Sequence, residues 1–304
     1  MREGPATLRV PDGRQGPGPM PSALVEALDL PVAHRAAGQL PGDRRAAGVG
    51  AGTELAQLRA YQVGDDVRRI DAAATARTGI PHVRVHVPER TLTTWLVVDV
   101  SPSMAFGTAD RLKSDVAEGV AQVIGRLAVR RAGRVALLTF GSGRMRLIPP
   151  RGSRPALIGV RRTLAEGVSP DGQSEPHALS HALGRIGRIA VQPGFVVVIS
   201  DFRGQHDWTT AIGALRMRHS VLAVEVRDPR EGQLPAVGRL ALIDPETGER
   251  IEIDSNHAPL RRRFAEAERR DREQVASELR RLRVDHAVLS TDGDWLFDLG
   301  RTLR

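Results

Sequence analysis

After Arg90 the chain alternates short, uninterrupted apolar runs with longer segments in which apolar residues recur every three or four positions. The runs TTWLVVDV, RVALLTF, GFVVVIS, VLAVEV and DHAVLS lack internal polar alternation, as expected of strands buried on both faces of a parallel sheet. Helices are predicted between and after them at about 111–131, 154–165, 176–190, 208–218 and 258–283. In the first of these, Val116, Val120, Val123, Ile124 and Leu127 fall on one face. Strands alternating with helices predict an α/β fold, a mostly parallel sheet flanked by helices. One segment breaks the alternation: RLALIDPETGERIEID, residues 239–254, reads as two strands about a DPETG loop, a hairpin at the sheet edge.

Upstream, HVRVHV has the period of a half-buried strand and closes a small β-containing module that carries ELAQLRAYQVGDDVRRIDAAATARTG. Residues 1 to about 22, rich in Pro, Gly and Arg without periodicity, read as a flexible tail; a weakly helical and then Arg/Gly-rich lead-in follows. The expected division is a tail and lead-in at 1–47, a small module at 48–90 and the α/β domain at 91–304.

Composition narrows the function classes. At 304 residues and 41% hydrophobic content the chain can bury a large core. No apolar run approaches the roughly 20 residues of a membrane-spanning helix, and the N-terminal sequence has no apolar signal segment, so the expected location is the cytoplasm. With no cysteine, disulfides, thiolate metal sites and cysteine nucleophiles are excluded. The net charge of +8 invites a nucleic-acid reading, but arginine is spread through every segment, Lys113 is the one lysine among 44 basic residues, and aromatics amount to 3%. Neither GxxxxGK[ST] nor GxSxG occurs, which argues against a P-loop nucleotidase and a serine hydrolase.

The chemistry concentrates at strand ends. Asp99 closes TTWLVVDV and Asp201 follows GFVVVIS, so both carboxylates are expected at the carboxyl rim of the sheet, where open α/β sheets bind ligands. Asp99, Ser101 and Ser103 can present oxygens to one point, and a hard cation such as Mg²⁺, or Mn²⁺ or Ca²⁺, takes about six oxygen ligands. Asp-x-Ser after a strand is also an ordinary helix N-cap, and only the second strand-end aspartate favours the metal. The chief enzymatic alternative, a Mg²⁺-dependent phosphohydrolase with an aspartyl nucleophile, needs an acid two residues on, where this chain has Ser101.

Asp99-Val100-Ser101-Pro102-Ser103-Met104 resembles the DxSxS motif of the metal-ion-dependent adhesion site in von Willebrand factor type A domains, which have a Rossmann-like fold. By that resemblance Ser174, in DGQSEPHALSHAL, stands where the family has a ligating threonine, and Asp201 where it has a second aspartate. The stretches LRAYQVGDDVRRIDAAATARTG and DPREGQLPAVGRLALIDPETGE are similar to the bacterial family called domain of unknown function 58, from roughly Gly48 to the C-terminus. Ala72 departs from the tryptophan that the family usually shows after its RxID aspartate. The resemblance implies a non-enzymatic adaptor that works beside a MoxR-type AAA+ ATPase in maturation or stress responses. In such a module a client's carboxylate would complete the shell of a metal held by Asp99, Ser101, Ser103, Ser174 and Asp201.

Three further clusters have simpler readings. His177 and His181 have zinc-ligand spacing but no third ligand in the usual arrangement, and read as a solvated helix face. Asp65, Asp66, Arg68, Arg69, Asp71 and Arg77 read as turn aspartates with ion pairs that hold the small module onto the α/β domain, the alternative being a docking surface. The arginine-rich helix at 258–283 contains the four-residue pairs Glu266/Arg270 and Glu268/Arg272, with Arg261, Arg262 and Arg263 left as a candidate contact for an acidic partner.

Overall fold

The computed structural model describes residues 8–28, 54–87, 92–108, 110–130, 132–173, 175 and 177–303. The chain divides into two compact units, one of residues 1–40 with 92–304 and one of residues 41–91.

The smaller unit pairs β1 (Glu54–Ala60) antiparallel with β2 (His82–Val87). Between them a 3-10 turn (Val67–Arg69) leads into α1 (Ala72–Thr78), so two of the aspartates in GDDVRRID act as caps. Asp66 accepts from Arg68 N, and Asp71 accepts from Ala74 N at 2.7 Å. Gly79, at φ 71°, closes α1 in the left-handed conformation that suits glycine. Asp65 takes a two-pronged ion pair from Arg59 at 2.6 and 2.7 Å. The aspartates of the charge-dense stretch therefore build turns, and Asp65 takes its partner from Arg59, upstream of the cluster named from the sequence. Ala72, the departure from the family tryptophan, is the first residue of α1.

The larger unit is built on a six-stranded sheet of order β10-β7-β6-β3-β4-β5. Its strands are β3 (Thr93–Asp99), β4 (Arg134–Phe140), β5 (Arg146–Gly152), β6 (Phe195–Ser200), β7 (Ser220–Arg227) and β10 (Asp285–Ser290). All neighbours are parallel except β5, which runs antiparallel to β4. One face is covered by α2 (Lys113–Arg130), α3 (Ser153–Leu164) and α4 (Trp295–Leu303), with Val25 and Leu28 from the N-terminal segment. The other is covered by α5 (Ala178–Ile189), α6 (Trp208–Arg216) and α7 (Ala258–Arg281). Each central strand feeds both layers: in β3, Leu96 and Val98 join the first core while Trp95 and Val97 join the second. That is why these strands read as continuous apolar runs.

The chain winds from β3 to β4 on one side and later returns to place β6 on the other. The direction of winding therefore reverses between β3 and β6, which creates a crevice at their carboxyl ends. The strands β8 (Arg239–Ile243) and β9 (Arg250–Asp254) form the expected hairpin, but as a separate two-stranded sheet and not on the edge of the six-stranded one, whose edges are β10 and β5.

Residues 8–20, whose composition points to a flexible tail, lie against the domain. Arg9 bridges to Val168, and Gln15 N and Gly16 N donate to the fully buried Asp115 at 3.0 and 2.9 Å. Pro17 O accepts from the Trp295 indole at 2.9 Å. The weakly helical lead-in contains a short helix at Ser22–Ala27, and the Arg/Gly-rich stretch at 29–53 lies outside the described residues. Among the described residues no helix is long and apolar enough to cross a membrane.

Candidate metal centre

Asp99 ends β3 and Asp201 follows β6, its parallel neighbour, so the two carboxylates meet at the crevice, and both are buried. Asp99 is locked from both sides: Oδ1 accepts from Ser101 N at 2.9 Å and Oδ2 from Ser200 Oγ at 2.6 Å. Both donors are neutral, so these bonds orient the carboxylate and offset its burial only in part. Gly141, just after β4, makes the close approach possible. It has φ 86°, and a Cβ there would lie 2.7 Å from both Asp99 Oδ1 and Ser101 N.

After Asp99 a 3-10 turn runs from Pro102 to Ala105. Ser101 occupies its N-cap position, yet its side chain makes no capping bond. Instead the buried hydroxyls of Ser101 and Ser103 face each other, with Oγ atoms 3.0 Å apart. Capping therefore does not explain the two serines. The two hydroxyls hydrogen-bond to each other, and the Ser101 amide ties them to the Asp99 carboxylate, so one loop carries oxygens of the kind a hard cation takes.

Asp201 is differently partnered. Oδ1 accepts from Arg203 N at 3.1 Å and Oδ2 from Lys113 Nζ at 2.7 Å. Lys113, the first residue of α2, is fully buried and also donates to Glu231. Arg272 on α7 donates to Asp201 O at 2.6 Å and to the buried Glu225 at 2.9 Å, tying the long arginine-rich helix to the rim. Burial works against the ionised form of Asp201, but the Lys113 ammonium overrides it and holds the carboxyl below the usual range. Asp99 has no such partner: burial, and then the charge of Asp201, push its carboxyl up to about 7. A carboxylate kept in place by hydrogen bonds yet short of positive charge fits a site for a cation.

Of the residues expected to ligate a metal, the structure brings together Asp99, Ser101, Ser103 and Asp201; Ser174 lies outside the described residues. The loop before Ser174 does reach the site, since Ser169 N donates to Val100 O at 2.8 Å. Lys113, Ser200 and Gly141 also build the centre. For Lys113 a signal existed in the sequence: it is the only lysine in a chain that otherwise uses arginine. His177 and His181 turn to separate carboxylates, Asp207 at 2.7 Å and Glu175 at 3.3 Å. Among the described residues no group of three His, Asp or Glu side chains forms a metal cluster. Arg261 donates to Ser255 O at 2.6 Å, and the pairs Glu266/Arg270 and Glu268/Arg272 are present at 3.7 and 3.1 Å.

An uncharacterized protein of Mycobacterium tuberculosis is 38% identical over 305 residues, covering 98% of this chain and 94% of its own length. An uncharacterized protein of Mycobacterium bovis matches to the same extent. The fold is similar to BatB from Bacteroides thetaiotaomicron, with TM-score 0.42 at 14% identity over 70% of this chain and 97% of that one. It is also similar to a von Willebrand factor type A protein from Catenulispora acidiphila, with TM-score 0.37 at 12% identity over 70% of this chain and 42% of that one. A family model described as protein of unknown function DUF58 matches residues 57–274, and the chain belongs to that family.

Proposed function

We propose that the chain is a non-enzymatic, divalent-metal-dependent protein-interaction adaptor whose docking point is the Asp99 rim, and that its partner is a MoxR-type AAA+ ATPase or that ATPase's client. The observation that carries this reading is the pair of buried hydroxyls, Ser101 and Ser103, set 3.0 Å apart beside Asp99 and uninvolved in capping. Buried hydroxyls are ordinarily committed to the backbone, and here the two hydrogen-bond to each other beside the Asp99 carboxylate.

In this reading Asp99, Ser101 and Ser103 hold the cation, Mg²⁺, Mn²⁺ or Ca²⁺, while Ser174 belongs to the set by the family resemblance. A hard cation so held would accept one more carboxylate oxygen, from a partner. The remaining residues have supporting roles. Ser200 and the Ser101 amide fix the rotation of the Asp99 carboxylate, and Gly141 leaves room for the loop. Asp201, with both oxygens already engaged by Lys113 and the Arg203 amide, supplies fixed negative charge beside the cation face.

The test is capture of the AAA+ ATPase or client from the native lysate by wild type, Asp99→Ala and Ser101→Ala, each in Mg²⁺ and in EDTA. Capture by wild type in Mg²⁺ alone is expected. Equal capture in all conditions refutes the metal-gated reading, and phosphate-monoester turnover lost in Asp99→Asn would make the protein an enzyme instead.

A further inference from the structure

The hairpin of β8 and β9 reaches the same rim. Its tip is a rigid loop closed on Asp244: Gly248 N donates to Asp244 O at 2.8 Å, Glu246 N to Asp244 Oδ1 at 2.9 Å and Thr247 Oγ1 to Asp244 Oδ2 at 2.9 Å. The tip touches two loops that frame the crevice. Pro245 O accepts from Gly172 N at 2.8 Å, in the loop that leads to Ser174. The half-buried Glu246 places Oε1 3.1 Å from Ser103 N, inside the 3-10 turn that carries the two hydroxyls.

That placement gathers negative charge at the rim. A carboxylate 143 residues away in sequence is brought to a rim that already holds Asp99 and Asp201, where Lys113 is shared between Asp201 and Glu231. Like charges gathered in a partly buried place oppose one another unless a cation lies between them. The Ser103 amide fixes one oxygen of Glu246, and the arrangement makes chemical sense if a cation also balances the carboxylate.

We propose that Glu246 is the centre's own acidic ligand. The hairpin tip presents it to the Asp99, Ser101 and Ser103 face where a partner's carboxylate would otherwise sit, so a partner binds by displacing the tip. This inference rests on the metal-dependent reading above. The hairpin suits the role because it pairs with itself, is largely exposed along both strands, and is held at its base by Ser255, which accepts from Val237 N and donates to Gly238 O. A lone two-stranded hairpin contributes little to the stability of its domain, so it can lift without unfolding the sheet beneath.

The experiment is titration of the full chain with Mn²⁺ alone, read by the electron paramagnetic resonance of the free ion and by water-proton relaxation of the bound ion. Wild type is compared with Glu246→Gln, with Asp99→Asn, and with Glu252→Gln, which removes the same charge from an exposed position on β9. Glu246→Gln is expected to weaken Mn²⁺ binding about tenfold and to raise the relaxivity of the bound ion, as water replaces the lost oxygen, while Glu252→Gln matches wild type. Hydrogen exchange at residues 239–254 should also quicken in Glu246→Gln with Mn²⁺ present. If Mn²⁺ binds through Asp99 but Glu246→Gln leaves affinity and relaxivity unchanged, the internal ligand is refuted and the metal site stands. If wild type does not bind Mn²⁺, or Asp99→Asn binds it equally well, both readings fall.

Discussion

Asp99 and Asp201 stand at neighbouring strand ends, equally buried, and titrate in opposite directions because one has an ammonium and the other has hydroxyls and amides. The pH dependence of stability follows. With its folded pKa near 7, Asp99 keeps its proton in the native state at pH values where the unfolded chain has released it, above about 3.8. The native state therefore binds more protons across that window, and stability declines as pH rises from about 4 to 7, then levels off. Asp201 acts oppositely and below that window, stabilising above the unfolded pKa and losing its contribution as pH falls well under it. Asp99→Asn should thus gain stability relative to wild type as pH rises, by on the order of a few kcal/mol between pH 4.5 and 8. Melting both proteins in EDTA across that range checks it, and a difference independent of pH would contradict the assignment.

At the scale of elements, α2 is docked to the sheet through its first residue as well as through its apolar face. Lys113 fills the space between Asp201 and Glu231, and exchanging it for methionine would take the buried ammonium from Asp201 and leave Glu231 with its longer pairs to Arg203 and Arg272, at 3.4 and 3.8 Å. Removing one member of a buried ion pair costs about 3–5 kcal/mol, and Lys113→Met is expected to lose that much in urea unfolding. Lys113→Met/Asp201→Asn should recover part of the loss, since the two sites are directly coupled; a strictly additive double variant would show that the contact carries no energy. The four central strands and the helices between them were legible in the sequence because burial on both faces leaves unbroken apolar runs, and the edge strand β10 was legible from its shorter run AVL. The edge strand β5 was not: RLIPPRG is half polar and carries Pro149 and Pro150, tolerable because they fall at the irregularity in its pairing with β4. The short α4 has a clear apolar face in Trp295, Leu296, Leu299 and Leu303, but at nine residues it is too brief for that period to stand out. The DxSxS loop and the strand-end Asp201 could be read from local pattern, whereas Ser200, Gly141 and Glu246 reach the centre only through the sheet register and the hairpin, which no local pattern encodes.

At the scale of the larger unit, the N-terminal segment is a structural strap whose cues are backbone groups rather than side chains, so composition alone could not reveal it. Asp115 is fully buried and accepts from Gln15 N, Gly16 N and Leu112 N, two of the three donors coming from the strap. Arg14 adds ion pairs to Asp115 and Glu118. Gly119 leaves the room in which Trp295 and Pro17 meet, since a Cβ there would lie 2.5 Å from the indole and 2.8 Å from the proline. The strap thereby joins the start of α2, beside the Lys113 end of the centre, to α4 at the far end of the chain. Deleting residues 2–20 would strip a buried carboxylate of most of its donors and the indole of its acceptor, and groups left unsatisfied in this way cost about 1–3 kcal/mol each. The truncated chain should melt well below the full one, with amide exchange quickened first at the beginning of α2 and in α4. An unchanged melting temperature would mean that the strap rests on the surface without bearing on the fold. If the loss is as expected, Lys113 inherits it: a frayed α2 start loosens the ammonium that holds Asp201 in place, so truncation should also weaken Mn²⁺ binding at the centre.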